Sequence, residues 1–180
     1  MIRLGALLLL WSGVAVAAPQ RVVSLNLCTD ELVLALATPG QLASVSFLGA
    51  DAQETLLAAR ARGLPTNNGR LDSVVALAPD LVITGGGDRY ARELAARLGI
   101  ATLDVPPPQT VADIRRNIAR VAAALGRPAA GAALTARFDA ALGAHEEHLD
   151  MAVAPPQLFD DRDAREQVPA RTAARHDDLP

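Results

Sequence analysis

The 180-residue sequence contains no lysine; all 17 of its basic residues are arginine. Against 20 acidic residues they leave a formal net charge of -3, which gives no electrostatic footprint for nucleic acid. One cysteine, Cys28, rules out an internal disulfide, and its expected role is that of a small buried hydrophobe. Aromatic residues make up only 3% of the chain, so few side chains could stack on a large flat ligand. Glycine is missing where a nucleotide-binding enzyme needs it. The turn after the first apolar run is Ser24-Leu25-Asn26-Leu27, without the G-x-G-x-x-G of a dinucleotide fold. Neither a Ser/His/Asp set nor a pair of carboxylates stands out, so no catalytic residue and no cofactor is expected.

The first residues do carry a pattern. Arg3, the apolar run through Leu10 and Trp11, and small residues at Ala15 and Ala17 form a secretory signal, expected to be cut after Ala17. Cys28 lies too far beyond that cut to take a lipid anchor, and no later run could hold the chain in a membrane. An exported, soluble protein is expected.

From Arg21 to Val105, short apolar runs alternate with helix-like segments. Arg21–Leu25, Leu42–Phe47, Asp80–Thr84 and Ile100–Val105 read as strands apolar on both faces, as parallel sheets require. Between them, helices are expected over Cys28–Ala37 (capped by Thr29 or Asp30), over Asp51–Gly63, and over Leu71–Ala78, the last stopped by Pro79. Another covers Asp88–Gly99, with Tyr90, Leu94 and Leu98 along one face. After Thr110 no strand returns. Val111, Ile114, Ile118, Val121 and Leu125 keep helical spacing, and a second stripe runs through Leu134, Phe138, Leu142, His145 and Leu149. The expected fold is α/β, a Rossmann-like parallel-sheet lobe over 18–109 followed by a helical connector over 110–150. The last thirty residues, 151–180, hold about ten charges without periodicity and are expected to be disordered.

Three stretches in order carry a family resemblance: "RVVSLNLCTDELVLALA", "LASVS", and "LDSVVALAPDLVITGGGDRYARELAARLGIATLDV". Together they resemble the N-terminal lobe of the periplasmic binding proteins that serve ABC importers of vitamin B12, siderophores and haem. The most specific piece is "ALAPDLVI", similar to the family's Leu-acidic-x-Ile/Val-x-Ala-Leu-x-Pro-Asp-Leu-Val pattern. The resemblance covers about Arg21 to Asp150. It implies a monomeric periplasmic binder of a small-molecule metal chelate, an iron-siderophore, haem or cobalamin, with the ABC transporter membrane permease as partner. It also implies a second lobe after the connector. The charged tail stands there instead, so a truncated or frame-shifted product is expected.

Ligands of open α/β sheets sit at the carboxyl ends of the strands. The candidate ligand-binding residues are therefore Asn26, Phe47, Asn67, Asn68, Gly85, Gly86 and Tyr90, each in or beside such a turn or a packing residue of its own element. B12-binding relatives carry aromatic residues where this chain has Asn67 and a glycine near Gly85. Asp72 matches an acidic family residue that docks on permease arginines, and equally it could cap its own short helix. Asp88, behind the glycines, speaks against a phosphate there. His145 and His148 lie three apart on a helix without a third ligand, so no metal is expected. Two other readings stay open: a stand-alone single-lobe binding or sensory module, and a nucleotide-binding enzyme.

Overall fold

The computed structural model describes residues 17–153. The stretch before Ala17, expected to be a signal segment, and the tail beyond Val153 lie outside the described residues. Five strands, β1 (Val22–Ser24), β2 (Leu42–Ser46), β3 (Thr66–Asn67), β4 (Leu81–Thr84) and β5 (Ala101–Asp104), form one parallel sheet in the order β3-β2-β1-β4-β5. Every pairing is parallel, and Val22, Val23 and Ser24 of β1 lie in register with Leu81, Val82 and Ile83 of β4. The helices are α1 (Leu27–Leu36), α2 (Arg89–Leu98), α3 (Val111–Ala124) and α4 (Pro128–Val153). Two units are distinguished, one to Ala140 and one from Ala141, and α4 continues from the first into the second.

Alternation along the central strands builds two cores. Val22, Val45 and Ile83 pack with Val33, Leu36, Val121 and Leu125 of the α1/α3 side. Their neighbours Val23 and Val82 face the other way, onto Leu71, Val74, Ala91 and Ala95. Each such Val, Leu or Ile contributes about 1.5–3 kcal/mol by leaving water. The central strands β1 and β4 are thereby covered on both faces, as parallel strands require, whereas the edge strand β5, expected to be apolar on both faces, is exposed at Ala101 and Thr102. The Pro79-Asp80 step has a structural task in this arrangement. The Asp80 carboxylate accepts the backbone N–H groups of Gln20 (2.6 Å) and Arg21 (2.9 Å). The Arg21 guanidinium in turn donates to Leu77 O at 2.7 Å, fixing the start of β1 to the turn before β4.

Several expectations are corrected. The cap of α1 is Asn26, extended at φ -151°, whose Oδ1 accepts from Cys28 N at 2.9 Å. Thr29 and Asp30 lie one turn inside and are buried, Thr29 against Ser24 and Asp30 against Ser46. Asp51–Gly63 is not an α-helix but turns with one 3-10 segment at Ala58–Ala61. Asp51 Oδ1 takes the Gln53 N–H and Thr55 Oγ1 takes the Leu57 N–H, both at 2.9 Å, and these local bonds compete with helical pairing. Leu71–Ala78 forms two 3-10 turns, ended by Ala78 in the left-handed region at φ 47°. The two-residue β3 lacks the length to register in the sequence. On α2 the buried positions are Ala91 and Ala95, while Tyr90 and Leu98 are exposed. Cys28 is exposed, not buried.

The helical region follows its stripe more closely. Thr110 and Asp113 close a capping box on α3, whose buried positions include Ile118, Val121 and Ala122; Val111 is exposed. Gly126 at φ 71° turns the chain and Pro128 opens α4. Gly131 of α4 meets Ala122 so closely that a Cβ there would fall 2.4 Å from the Ala122 methyl. No helix among the described residues is long and apolar enough to cross a membrane.

Candidate ligand-binding rim

With all five strands parallel, their carboxyl ends meet at one edge. The chain order reverses between β1 and β4, so the crevice of an open α/β sheet opens there. Asn26 follows β1 and Gly85 follows β4, and the two touch. A Cβ on Gly85 would lie 2.6 Å from Asn26 Cγ, so only glycine lets the cap of α1 stand beside this turn. From this pair the rim extends both ways. On one side Gly86, at φ 96°, lies against Pro106; on the other Gly69, at φ 80°, approaches the Leu25 carbonyl.

Phe47 follows β2 and is 56% exposed, its backbone N–H bound to Asn67 O at 2.9 Å. Asn67 and Asn68, adjacent in the chain, part company. Asn67 is buried, its Nδ2 donating to Ser24 O and Ser44 Oγ and its Oδ1 accepting from Gly69 N, each at 2.9 Å. Its side chain ties β3 to β2 and to the end of β1, and faces inward. Asn68 is exposed, with Oδ1 accepting from Arg70 N at 3.1 Å. Asn26, Phe47, Asn68, Gly85 and Gly86 thus form the accessible rim.

Tyr90 and Asp72 were expected on different surfaces, yet they are neighbours. Arg70 joins them: its Nη2 lies 2.8 Å from Asp72 Oδ2, and its guanidinium carbon stands 5.2 Å from the Tyr90 ring centre. The Tyr90 hydroxyl is 3.5 Å from the same Asp72 oxygen. The Arg70 hydrogen bond holds the exposed Asp72 carboxyl below the usual carboxylate range. Asp72 therefore pairs with an arginine of its own chain. Nothing in the sequence marked Arg70, because residues two apart share no helix face and the 3-10 turn that joins them has no periodicity.

Two further carboxylates lie at or under the rim. Asp30, without solvent exposure, accepts the Ser46 N–H at 3.2 Å and the Ser46 hydroxyl, and burial pushes its carboxyl upward. Gly49 leaves it room, since a Cβ there would fall 2.6 Å from Asp30 Oδ2. Asp104, the last residue of β5, accepts from Thr84 Oγ1 at 2.6 Å, the chief reason its carboxyl is held down. Its place at a strand's carboxyl end was the available signal. Beside the rim, Cys28, Leu32, Val105, Pro106, Pro108 and Ile114 line an apolar cavity of about 210 Å³. A larger one of about 370 Å³, around Thr38, Pro39, Gly40 and Arg60, lies at the amino end of β2, away from the rim. Among the described residues no group of three or more His, Cys, Asp or Glu could hold a metal ion. His145 and His148 fall within α4, and their side chains lie outside the described residues.

Comparison with known proteins agrees with this architecture. The chain is similar to a periplasmic haem-binding protein named RhuT from Roseiflexus sp. RS-1, at 24% identity and a TM-score of 0.63 over 76% of this chain and 52% of that one. It is similar to the periplasmic haem-binding protein BhuT at 27% identity and TM-score 0.54, over 66% and 46%. A periplasmic haem-binding protein from Pseudomonas aeruginosa matches at 22% and 0.57, over 72% and 46%. The chain thus spans about half the length of these solved structures. No curated protein matches it. The model of the periplasmic binding proteins matches residues 22–157, most of the chain, and the chain belongs to that family.

Proposed function

We propose that the chain is the periplasmic solute-binding component of an ABC importer for an iron chelate, siderophore or haem, or for cobalamin. It acts as a monomer, with the membrane permease as its partner. The observation that carries this reading is the strand-end rim, where the exposed Phe47 after β2 shares an edge with the uncharged turns after β1 and β4. An aromatic face beside small, neutral turns suits a large, partly apolar chelate better than a nucleotide. The likeness to proteins named haem-binding makes haem the first probe. Asn26, Phe47, Asn68, Gly85 and Gly86 face the ligand, Asn67 supports them from below, and Tyr90 borders the Asp72 cluster.

Absorbance titration of the 180-residue chain with hemin, a ferric trihydroxamate and cyanocobalamin tests the reading, with NAD and ATP as controls. One chelate is expected to bind saturably and to bind more weakly to Phe47→Ala. Saturable NAD or ATP binding with none of the chelates bound overturns it. For the permease contact, Asp72→Arg in a two-lobe relative should lower transport and leave ligand affinity alone; equal loss of both rejects the docking role.

A further inference from the structure

Gly86 and Gly87 follow one another in the left-handed region, at φ 96° and 75°. They lie between the end of β4 and the start of α2. An α/β sheet commonly holds phosphate at such a place. Here a carboxylate of the same chain already lies against the turn. Asp104 is the register partner of Thr84 across β4 and β5. It accepts from Thr84 Oγ1 at 2.6 Å and from Arg92 Nη1 at 3.2 Å, and the backbone N–H groups of Gly87 and Gly86 act on the same carboxylate.

The segment that brings the carboxylate there is anchored from three sides. Val105 N donates to Thr84 O at 2.9 Å, and Arg120 of α3 donates to the Asp104 carbonyl at 2.7 Å. On the third side Gly86 packs on Pro106 with no space for a side chain, its imagined Cβ falling 2.9 Å from Pro106 Cα. A second carboxylate takes another donor: Asp88 Oδ1 accepts the Ala91 N–H at 2.8 Å in the first turn of α2.

We infer that Asp104 is an internal anion that stands beside the Gly85–Gly87 turn, takes the Thr84 hydroxyl and the Arg92 guanidinium, and bars external phosphates and carboxylates from them, which makes it a specificity-determining residue of the β1/β4 crevice. Two donors that would receive a phosphate beside this turn are those Asp104 occupies: the Thr84 hydroxyl and the Arg92 guanidinium. A ligand of this crevice is therefore not gripped by an anionic group at the glycines. Neutral contacts at Asn26, Asn68 and Phe47 remain to select it. This inference holds whichever ligand the rim takes.

The test uses inorganic phosphate and the full chain, reading the amide resonances of Gly85, Gly86 and Gly87. The unmutated protein should show no saturable shift. Asp104→Ala frees the Thr84 hydroxyl and Arg92, and should raise phosphate affinity by about tenfold or more, the order expected when a charge-assisted donor set becomes available. Asp104→Asn, of nearly the same shape, serves if the alanine variant fails to fold and should show a smaller gain. A folded variant without gain overturns the inference, as does phosphate binding at the turn of the unmutated chain.

Discussion

Asn67→Ala and Asn68→Ala should behave as opposites although the two residues are adjacent. The Asn67 side chain makes three hydrogen bonds of 2.9 Å, and alanine removes all three. Ser24 and Ser44 have no solvent exposure, so their oxygens lose a donor that water cannot replace. Gly69 N is half-buried and can be rehydrated. Two abandoned buried acceptors at about 1–1.5 kcal/mol each give an expected loss of about 2–3 kcal/mol. Asn68 is exposed and makes one bond within its own turn, so its replacement should fall within about 0.5 kcal/mol. Urea denaturation followed by circular dichroism separates the cases. With a slope of about 1–3 kcal/mol per molar urea, the Asn67→Ala midpoint should drop by about 1–2 M while that of Asn68→Ala barely moves. Equal shifts for the two variants, or a loss under about 1 kcal/mol for Asn67→Ala at unchanged slope, would refute the structural role of that amide.

Asp30 gives a pH signature. Burial raises its carboxyl above the ordinary 3.8, so its contribution to stability is complete below that value and is lost as pH rises through the raised folded value. Asp30→Asn can still accept the Ser46 N–H, so it should gain on the unmutated chain as pH rises from the acid range to neutrality; parallel stability curves contradict this. Gly85→Ala should push the Asn26 cap aside and cost about 1 kcal/mol of thermal or urea stability. Combined with Asn26→Gly, which removes the atoms in the way, it should cost less than the two single changes summed, and strict additivity argues against the contact. Arg70→Ala should let the Asp72 carboxyl titrate closer to an ordinary aspartate, as read by carbon NMR; an unchanged titration would mean that the pair does not persist in solution.

The strands were legible because burial on both faces leaves apolar runs that no neighbouring turn imitates, as in Val22-Val23 and Leu81-Val82-Ile83. The long helical region was legible for a related reason, a stripe that continues past the point where a strand should return. The connecting segments were not. Asp51–Gly63 is rich in helix formers, yet two side-chain oxygens capture the N–H groups that helical pairing needs. At the rim, the rule that ligands sit at strand carboxyl ends brought forward Asn26, Phe47, Asn68 and the glycines, which the structure does place along one edge. The same rule cannot say which way a side chain turns. Asn67 faces inward and Asn68 outward through local geometry alone, and Tyr90 meets Asp72 because the 3-10 turn at Leu71–Ser73 packs on α2.

The rim also has a charge logic that the net charge of -3 conceals. Four carboxylates near it have a partner within the chain: Asp30 has Ser46, Asp72 has Arg70, Asp88 has the Ala91 N–H, and Asp104 has Thr84 and Arg92. The groups proposed to face the ligand are uncharged: amides, glycine backbone and the Phe47 ring. A charged ligand approaching such a surface meets little net attraction or repulsion beyond a Debye length of about 8–10 Å. Discrimination must then come from shape and stacking at short range, where one aromatic side chain is worth about 0.5–1.5 kcal/mol beyond the area it covers. It follows that chelate affinity at this rim should change little between low and moderate salt. At the Asp72–Arg70 pair, by contrast, a basic partner surface has to displace an arginine already in place, and salt that loosens the pair also weakens the newcomer. On the proposed function the two ends of the rim differ in kind: the crevice would select its ligand by shape and stacking, whereas a basic partner would reach Asp72 only by displacing Arg70.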